Sequence, residues 1–222
     1  MTGFWNQALE MARKDLRTEV RTGEVFLITI PFGAVALMLI PLAVGTDTPL
    51  LRTIGPGMYW VVVLLFGVLV ATRQSGVEDT PQQDLLSLLG IDPAAQFTGR
   101  AIATTLLLLA FEVVLAPVAI ALYDPQLAGW PWIAALAVLV GIGLGLLGTL
   151  AATIAASIAS SALVPLLVAP LSVPILLAAS QTMDGLRFGN TILGWILLLL
   201  TMDLLLAVAG VLSARPLQEA SR

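Results

Sequence analysis

Residues 132–158 read WIAALAVLVGIGLGLLGTLAATIAASI, a run of 27 positions with no charged side chain. About 20 apolar residues, rising 1.5 Å each, cross the ~30 Å hydrocarbon layer of a bilayer, so this run is a membrane-spanning length. Stretches at 25–44, 55–72, 101–122, 162–180 and 191–213 share its low charge and approach or exceed that length. The whole chain agrees: 59% of its 222 residues are hydrophobic and 11% charged, against roughly 45–50% and 25% in soluble domains. Its mean hydropathy is +1.00. Only helices and closed barrels satisfy every backbone polar group in lipid, and the alternation of a barrel strand is missing. The expected fold is an all-α integral membrane protein with six transmembrane helices.

Orientation follows from the basic residues. Six crossings put both termini on one side, which then holds Arg13, Lys14, Arg17, Arg21, Arg73, Arg100, Arg215 and Arg222, against Arg52 and Arg187 on the other. The positive-inside rule makes the first side cytoplasmic. Tyr59, Trp60, Tyr123, Trp130, Trp132 and Trp195 all fall at outer helix ends, where an interfacial aromatic belt is expected.

Residues 1–24 form a separate amphipathic segment. Trp5, Ala8, Ala12, Leu16 and Val20 recur at three- and four-residue steps, and Glu10, Arg13, Lys14, Arg17, Arg21 and Glu24 take the other face. Such a helix is expected to lie in the cytoplasmic interface with Arg13, Lys14, Arg17 and Arg21 toward headgroups, and Gly23 to turn the chain into the first span. The remainder, 25–222, is expected to be the transmembrane domain, with a cytoplasmic loop at 73–100. Within it, Gly141 and Gly145 stand in a G-x-x-x-G relation that favours close helix packing. Pro165, Pro170 and Pro174 predict a kinked or partly unwound fifth span. The Gly-, Thr- and Pro-rich 45–56 and the brief 123–131 and 181–190 read as outer loops. The first span is a full membrane length with no small-residue cleavage site after it, so it is expected to stay in the protein.

Several chemistries are excluded. The chain has no Cys and no His, hence no disulfide, no thiolate metal site, and neither the commonest metal ligand nor the usual general base. No metal site, no catalytic residue and no nucleic-acid partner are expected. The G-x-x-x-x-G-K-[ST] phosphate loop is absent and Lys14 is the sole lysine, so the chain is not its own ATPase.

The 73–100 loop carries a helix signal. Thr80 suits an N-cap, Pro81 the first helical position and Gln83 the third, completing a capping box ahead of Leu85, Leu86, Leu88 and Leu89, with Gly90 as a stop. About two turns of leucine-rich helix flanked by Glu78, Asp79 and Asp84 suit insertion into another protein's groove better than rest on an anionic membrane surface. Asp92 and Pro93 repeat the cap-then-proline signal before the third span. Two carboxylates lie inside spans, Glu112 in the third and Asp203 in the sixth, where an ionised group costs roughly 2.5 to 3.5 kcal/mol. Either they line a polar path or partner contact, or they are protonated and hydrogen-bonded locally. A self-contained proton-linked carrier or membrane enzyme using both is the alternative function.

The run Ile54-Gly55-Pro56-Gly57-Met58-Tyr59-Trp60-Val61, then Arg73, the Asp84–Leu89 segment and the Pro165, Leu166, Pro170, Leu171, Pro174, Ile175 pattern resemble the haem exporter protein B family, permeases of the cytochrome c maturation ABC transporter. The resemblance covers essentially the whole chain. It implies a type-2 ABC permease fold that pairs with a second copy of itself and with cytoplasmic ATPase subunits. It further implies a haem-handling membrane subunit and a small single-span subunit, in the bacterial inner membrane. ATP would be bound by the partner, and haem export or release of a haem-loaded periplasmic chaperone would follow its hydrolysis. No cofactor is expected in this chain itself.

Overall fold

A computed structural model describes residues 3–45, 47–76, 90–125, 129–158, 160 and 162–220. Over these residues it consists of seven helices: α1 (Phe4–Thr22), α2 (Glu24–Val44), α3 (Thr48–Gly76), α4 (Pro93–Tyr123), α5 (Trp130–Ser157), α6 (Leu163–Phe188) and α7 (Leu193–Ala220). The last five contain segments long and apolar enough to cross a membrane, and α2 has a shorter apolar part, Thr29–Val44. The chain is an integral membrane protein. Gly23 joins α1 to α2 in the left-handed conformation, φ +58°, and its N–H closes α1 on the Glu19 carbonyl (2.7 Å).

Two expectations need correction and a third is narrowed. Residues 45–56 and 181–190 are mostly helix rather than loop, since α3 begins at Thr48 and α6 ends at Phe188. Turn-forming residues do not stop a helix whose first turn needs no internal donors: the Leu50 N–H is met by Asp47 Oδ1 (3.4 Å), and Pro49 falls where a missing N–H costs nothing. Of the kinked or partly unwound forms expected for the fifth span, the unwound one is not seen, because α6 runs unbroken through Pro170 and Pro174. The expected docking helix, with Thr80, Pro81, Gln83, Asp84, Leu85, Leu86, Leu88 and Leu89, lies outside the described residues. Gly90 has φ +69°, and the cap expected next is present: Asp92 Oδ1 caps α4 by accepting the Ala94 N–H (3.0 Å).

Helices α4 and α5 are the hubs. The first touches α1, α2, α3, α5 and α7; the second touches α3, α4, α6 and α7. Close approach is possible because α5 lacks side chains where its neighbours arrive. A Cβ at Gly145 would collide with Thr105 Oγ1 and lie 3.1 Å from the Thr105 backbone, and one at Gly141 would lie 3.0 Å from Leu109 Cδ2. The G-x-x-x-G face therefore packs on the Thr105–Leu109–Glu112 face of α4, as small residues do in lipid. On the opposite flank of α4, Phe111 stacks on Phe66 of α3 with centroids 3.8 Å apart.

This packing predicts a contrast between two glycines. Gly145→Val is expected to lower stability by about 1–3 kcal/mol through overpacking, whereas Gly57→Ala, with nothing within 4 Å of the added Cβ, is expected to be neutral or stabilising. Thermal unfolding in detergent reads both; equal melting temperatures for Gly145→Val and the parent would contradict the packing.

Candidate functional site

The C-terminal ends of α2, α4 and α6 and the N-terminal end of α3 are joined where prolines have removed backbone donors. Pro41 has no N–H for the Leu37 carbonyl one turn back, and the Tyr123 hydroxyl donates to that carbonyl instead (2.7 Å). Gly55 permits this, since a Cβ there would lie 2.6 Å from Tyr123 Cβ. Pro56 likewise leaves the Arg52 carbonyl without its helical donor, and Arg187 Nη1 approaches it at 3.5 Å while also donating to Thr53 Oγ1 (3.2 Å). Arg52 in turn pairs with Asp124. Neighbouring elements thus meet the groups that helix-breaking residues leave open, as lipid requires.

Below this closure α3, α4 and α5 surround a cavity of about 540 Å³. Its walls are almost wholly apolar, among them Pro56, Leu109, Ala116, Ile133 and Ala137, with Met183 of α6 reaching it. Tyr59 also lines it, but its hydroxyl donates to the Glu112 backbone carbonyl (2.8 Å). Glu112 lines the cavity and is 2% exposed. Neither of its carboxyl oxygens has a hydrogen-bond partner among the described residues, and the same holds for Trp60 Nε1. The local bond expected for a protonated Glu112 is therefore not made. A site of this kind can accept a largely apolar body; it offers no nucleophile poised beside a base.

Asp203 is also buried, with neither oxygen partnered among the described residues, but it lies elsewhere. A Cβ at Gly143 would lie 2.6 Å from Asp203 Oδ1, whereas Gly141 is the residue that faces Glu112 Oε1. Residues two apart on a helix point about 200° apart, so the carboxylates lie on opposite sides of α5. They form no joint acid–base site, and the carrier or enzyme alternative loses its shared centre.

The aromatic belt needs correction. Trp60 and Tyr123 are buried within the bundle, while Trp130 and Trp132 are exposed as a belt requires. Outer-end position in the sequence does not say which way a ring points, and both rings here turn inward to pack between helices.

At the opposite end α1 packs on α4. Ala8, Met11 and Ala12 are buried against Gly99, where a Cβ would lie 2.8 Å from Met11 Cβ. Part of the expected lipid-facing stripe is thus protein-facing, because Gly99 lets the two helices touch; Trp5 and Val20 of that stripe remain exposed, as does Leu9. Arg13, Lys14, Arg17 and Arg21 are all exposed, and Arg13 meets Glu10 at 3.4 Å. Sequence reasoning missed two polar contacts here. Asp15 falls on the buried side of α1, and burial raises its carboxyl above the ordinary value although the Arg100 and Lys14 charges oppose that. Its signal was an acidic residue three and seven positions beyond Ala12 and Ala8. The cap Asp92 ties three helices: its N–H donates to Gln7 Oε1 of α1 (3.1 Å) and its carboxylate pairs with Arg215 of α7 (3.1 Å).

Residues 6–218 match the CcmB protein family. The chain is 27% identical over 181 residues to "Heme exporter protein B" of Haemophilus influenzae, covering 79% of this chain and 80% of that one. It is 28% identical over 172 residues to the protein of that name from Paracoccus denitrificans, covering 77% and 79%. A 63-residue stretch is 36% identical to the one from Bradyrhizobium diazoefficiens, 28% of each chain.

Opposite signs are expected for two substitutions at the cavity. Glu112→Leu removes an unpartnered buried carboxyl and should stabilise the purified chain, while Tyr123→Phe strands the Leu37 carbonyl and should cost about 1–3 kcal/mol. A lower melting temperature for Glu112→Leu would show that the carboxyl is held. At the cap, slight burial acts to raise Asp92, but the Ala94 N–H and Arg215 hold it below the ordinary 3.8. Its stabilisation is present above that value and lost as pH falls through the lowered one. Asp92→Ala should cost about 1 kcal/mol at neutral pH, with the difference from the parent vanishing in acid; a constant difference would contradict the linkage.

Proposed function

This chain belongs to the CcmB protein family, and on that premise we propose that it is the permease subunit of an ABC exporter complex. Residues 6–218 carry that match on a membrane bundle whose sequence has no phosphate loop, so the energy has to come from another subunit. The partner ATPase binds ATP on the cytoplasmic face, and its hydrolysis drives haem export or release of a haem-loaded periplasmic chaperone in cytochrome c maturation. A second copy of the chain, a haem-handling membrane subunit and a small single-span subunit complete the assembly in the bacterial inner membrane.

In this reading α2 to α7 are six crossings, and both termini are cytoplasmic. The meeting of Gln7, Asp92 and Arg215 supports a common side for the two termini, because it brings α1 and the end of α7 together. The contact of Arg52, Asp124 and Arg187 supports a single opposite face. The loop between α3 and α4, through Leu85, Leu86, Leu88 and Leu89, is the ATPase grip, and it leads directly into Asp92. Helix α1 lies in the cytoplasmic interface. The cavity beside Glu112 offers haem largely apolar walls and no tyrosine ligand, since both tyrosine hydroxyls are engaged by backbone carbonyls.

A tagged chain extracted in mild detergent is expected to recover an ABC ATPase. The double variant Leu85→Asp, Leu88→Asp should lose it while inserting in the membrane normally. Repeated recovery without an ATPase, or undiminished recovery by the variant, would overturn the reading.

A further inference from the structure

Between α1 and α4 runs a second groove, of about 430 Å³, whose lining separates into two stripes. Leu9, Leu16 and Val20 of α1 face Ile102 and Leu106 of α4, forming an apolar trough. Along its rim stand Arg13, Arg17 and Arg21. Residues four apart share one side of a helix, so the three guanidinium groups form a rail parallel to the trough. Arg13 has Glu10 as a partner; among the described residues no acidic group meets Arg17 or Arg21. With the third span beginning at 101, Ile102 and Leu106 lie in its first two turns, so the trough runs from the interfacial helix onto the start of that span.

We infer that this groove binds one anionic phospholipid, with an acyl chain in the trough and the phosphate on Arg17 and Arg21. Charge complementarity selects the headgroup, because a zwitterionic lipid brings a cation to the same rail, and guanidinium forks match phosphate oxygens bidentately. The trough selects a lipid over free phosphate, which has nothing to place against Leu16 and Leu106. A bound lipid would fill the seam where α1 leaves α4, fixing the interfacial helix whose Gln7 holds Asp92.

The inference rests on the interfacial placement of α1, and the two can be separated. Because the chain has no Cys, Leu9→Cys labelled with a polarity-sensitive fluorophore reports whether that face enters lipid. Native mass spectrometry of the full chain, loaded with equimolar phosphatidylglycerol and phosphatidylcholine, reports the site. One retained phosphatidylglycerol per chain is expected, with retention at least about ten-fold lower in Arg17→Gln, Arg21→Gln. Most retention should return in Arg17→Lys, Arg21→Lys, and none should be lost in the outer-end control Arg187→Gln. Leu106→Trp, a change at an exposed apolar position, should reduce retention with the arginines intact. Equal retention of the two lipids, equal retention by parent and Gln variant, or displacement by millimolar inorganic phosphate would overturn the site; a water-exposed label at position 9 would overturn the placement of α1.

Discussion

Lipid tails are as apolar as leucine, so no water-driven force presses spanning helices together, and contact depends on how closely their backbones can come. In this bundle that closeness is concentrated on α5. Gly141 and Gly145 admit α4, Gly143 admits the Asp203 side chain of α7, and Gly148 lies against Ala71 of α3. Four missing side chains on one helix therefore set the separation of several neighbours. The same absence decides where the two membrane carboxylates go, since each lies beside a glycine of α5, on opposite sides of it.

A second constraint of the bilayer is that backbone groups left open must be met from nearby. The prolines at 41 and 56 remove donors near one end of the bundle, and Tyr123 and Arg187 approach the stranded carbonyls. The repair stitches α2 to α4 and α3 to α6, so residues that weaken single helices strengthen the assembly. The other end is organised around a cap instead. Asp92 holds α4, α1 and α7 at one point, immediately after the loop proposed to grip an ATPase. On the permease reading, motion of that loop reaches Asp92 first and is shared among three helices from there.

Much of this was legible in the sequence because membrane spans are a matter of local composition. The hydropathy of 132–158, the cap signal of Asp92 and Pro93, the hinge at Gly23 and the G-x-x-x-G of α5 all correspond to observed elements. Helix ends were less legible. The Gly-, Thr- and Pro-rich 45–56 and the polar 181–190 resemble loops, yet a helix can continue beyond the hydrocarbon wherever its backbone groups find partners. Trp60 and Tyr123 were misplaced for a related reason: a ring near a helix end can face lipid or protein, and only the neighbour, here Gly55 beside Tyr123, decides which.

The sequence by itself determined that the chain lives in a membrane as helices, and that it has no nucleotide loop and no His or Cys chemistry. These depend on residue type and spacing along one chain. Tertiary structure decided that Glu112 and Asp203 are separated by α5, that Tyr123 and Arg187 serve carbonyls opened by distant prolines, and that α1 rests on Gly99 with an arginine-lined trough beside it. Those facts depend on which helix faces share a seam, and seams between helices of similar hydropathy are chosen by the fit of side chains and gaps across the whole bundle.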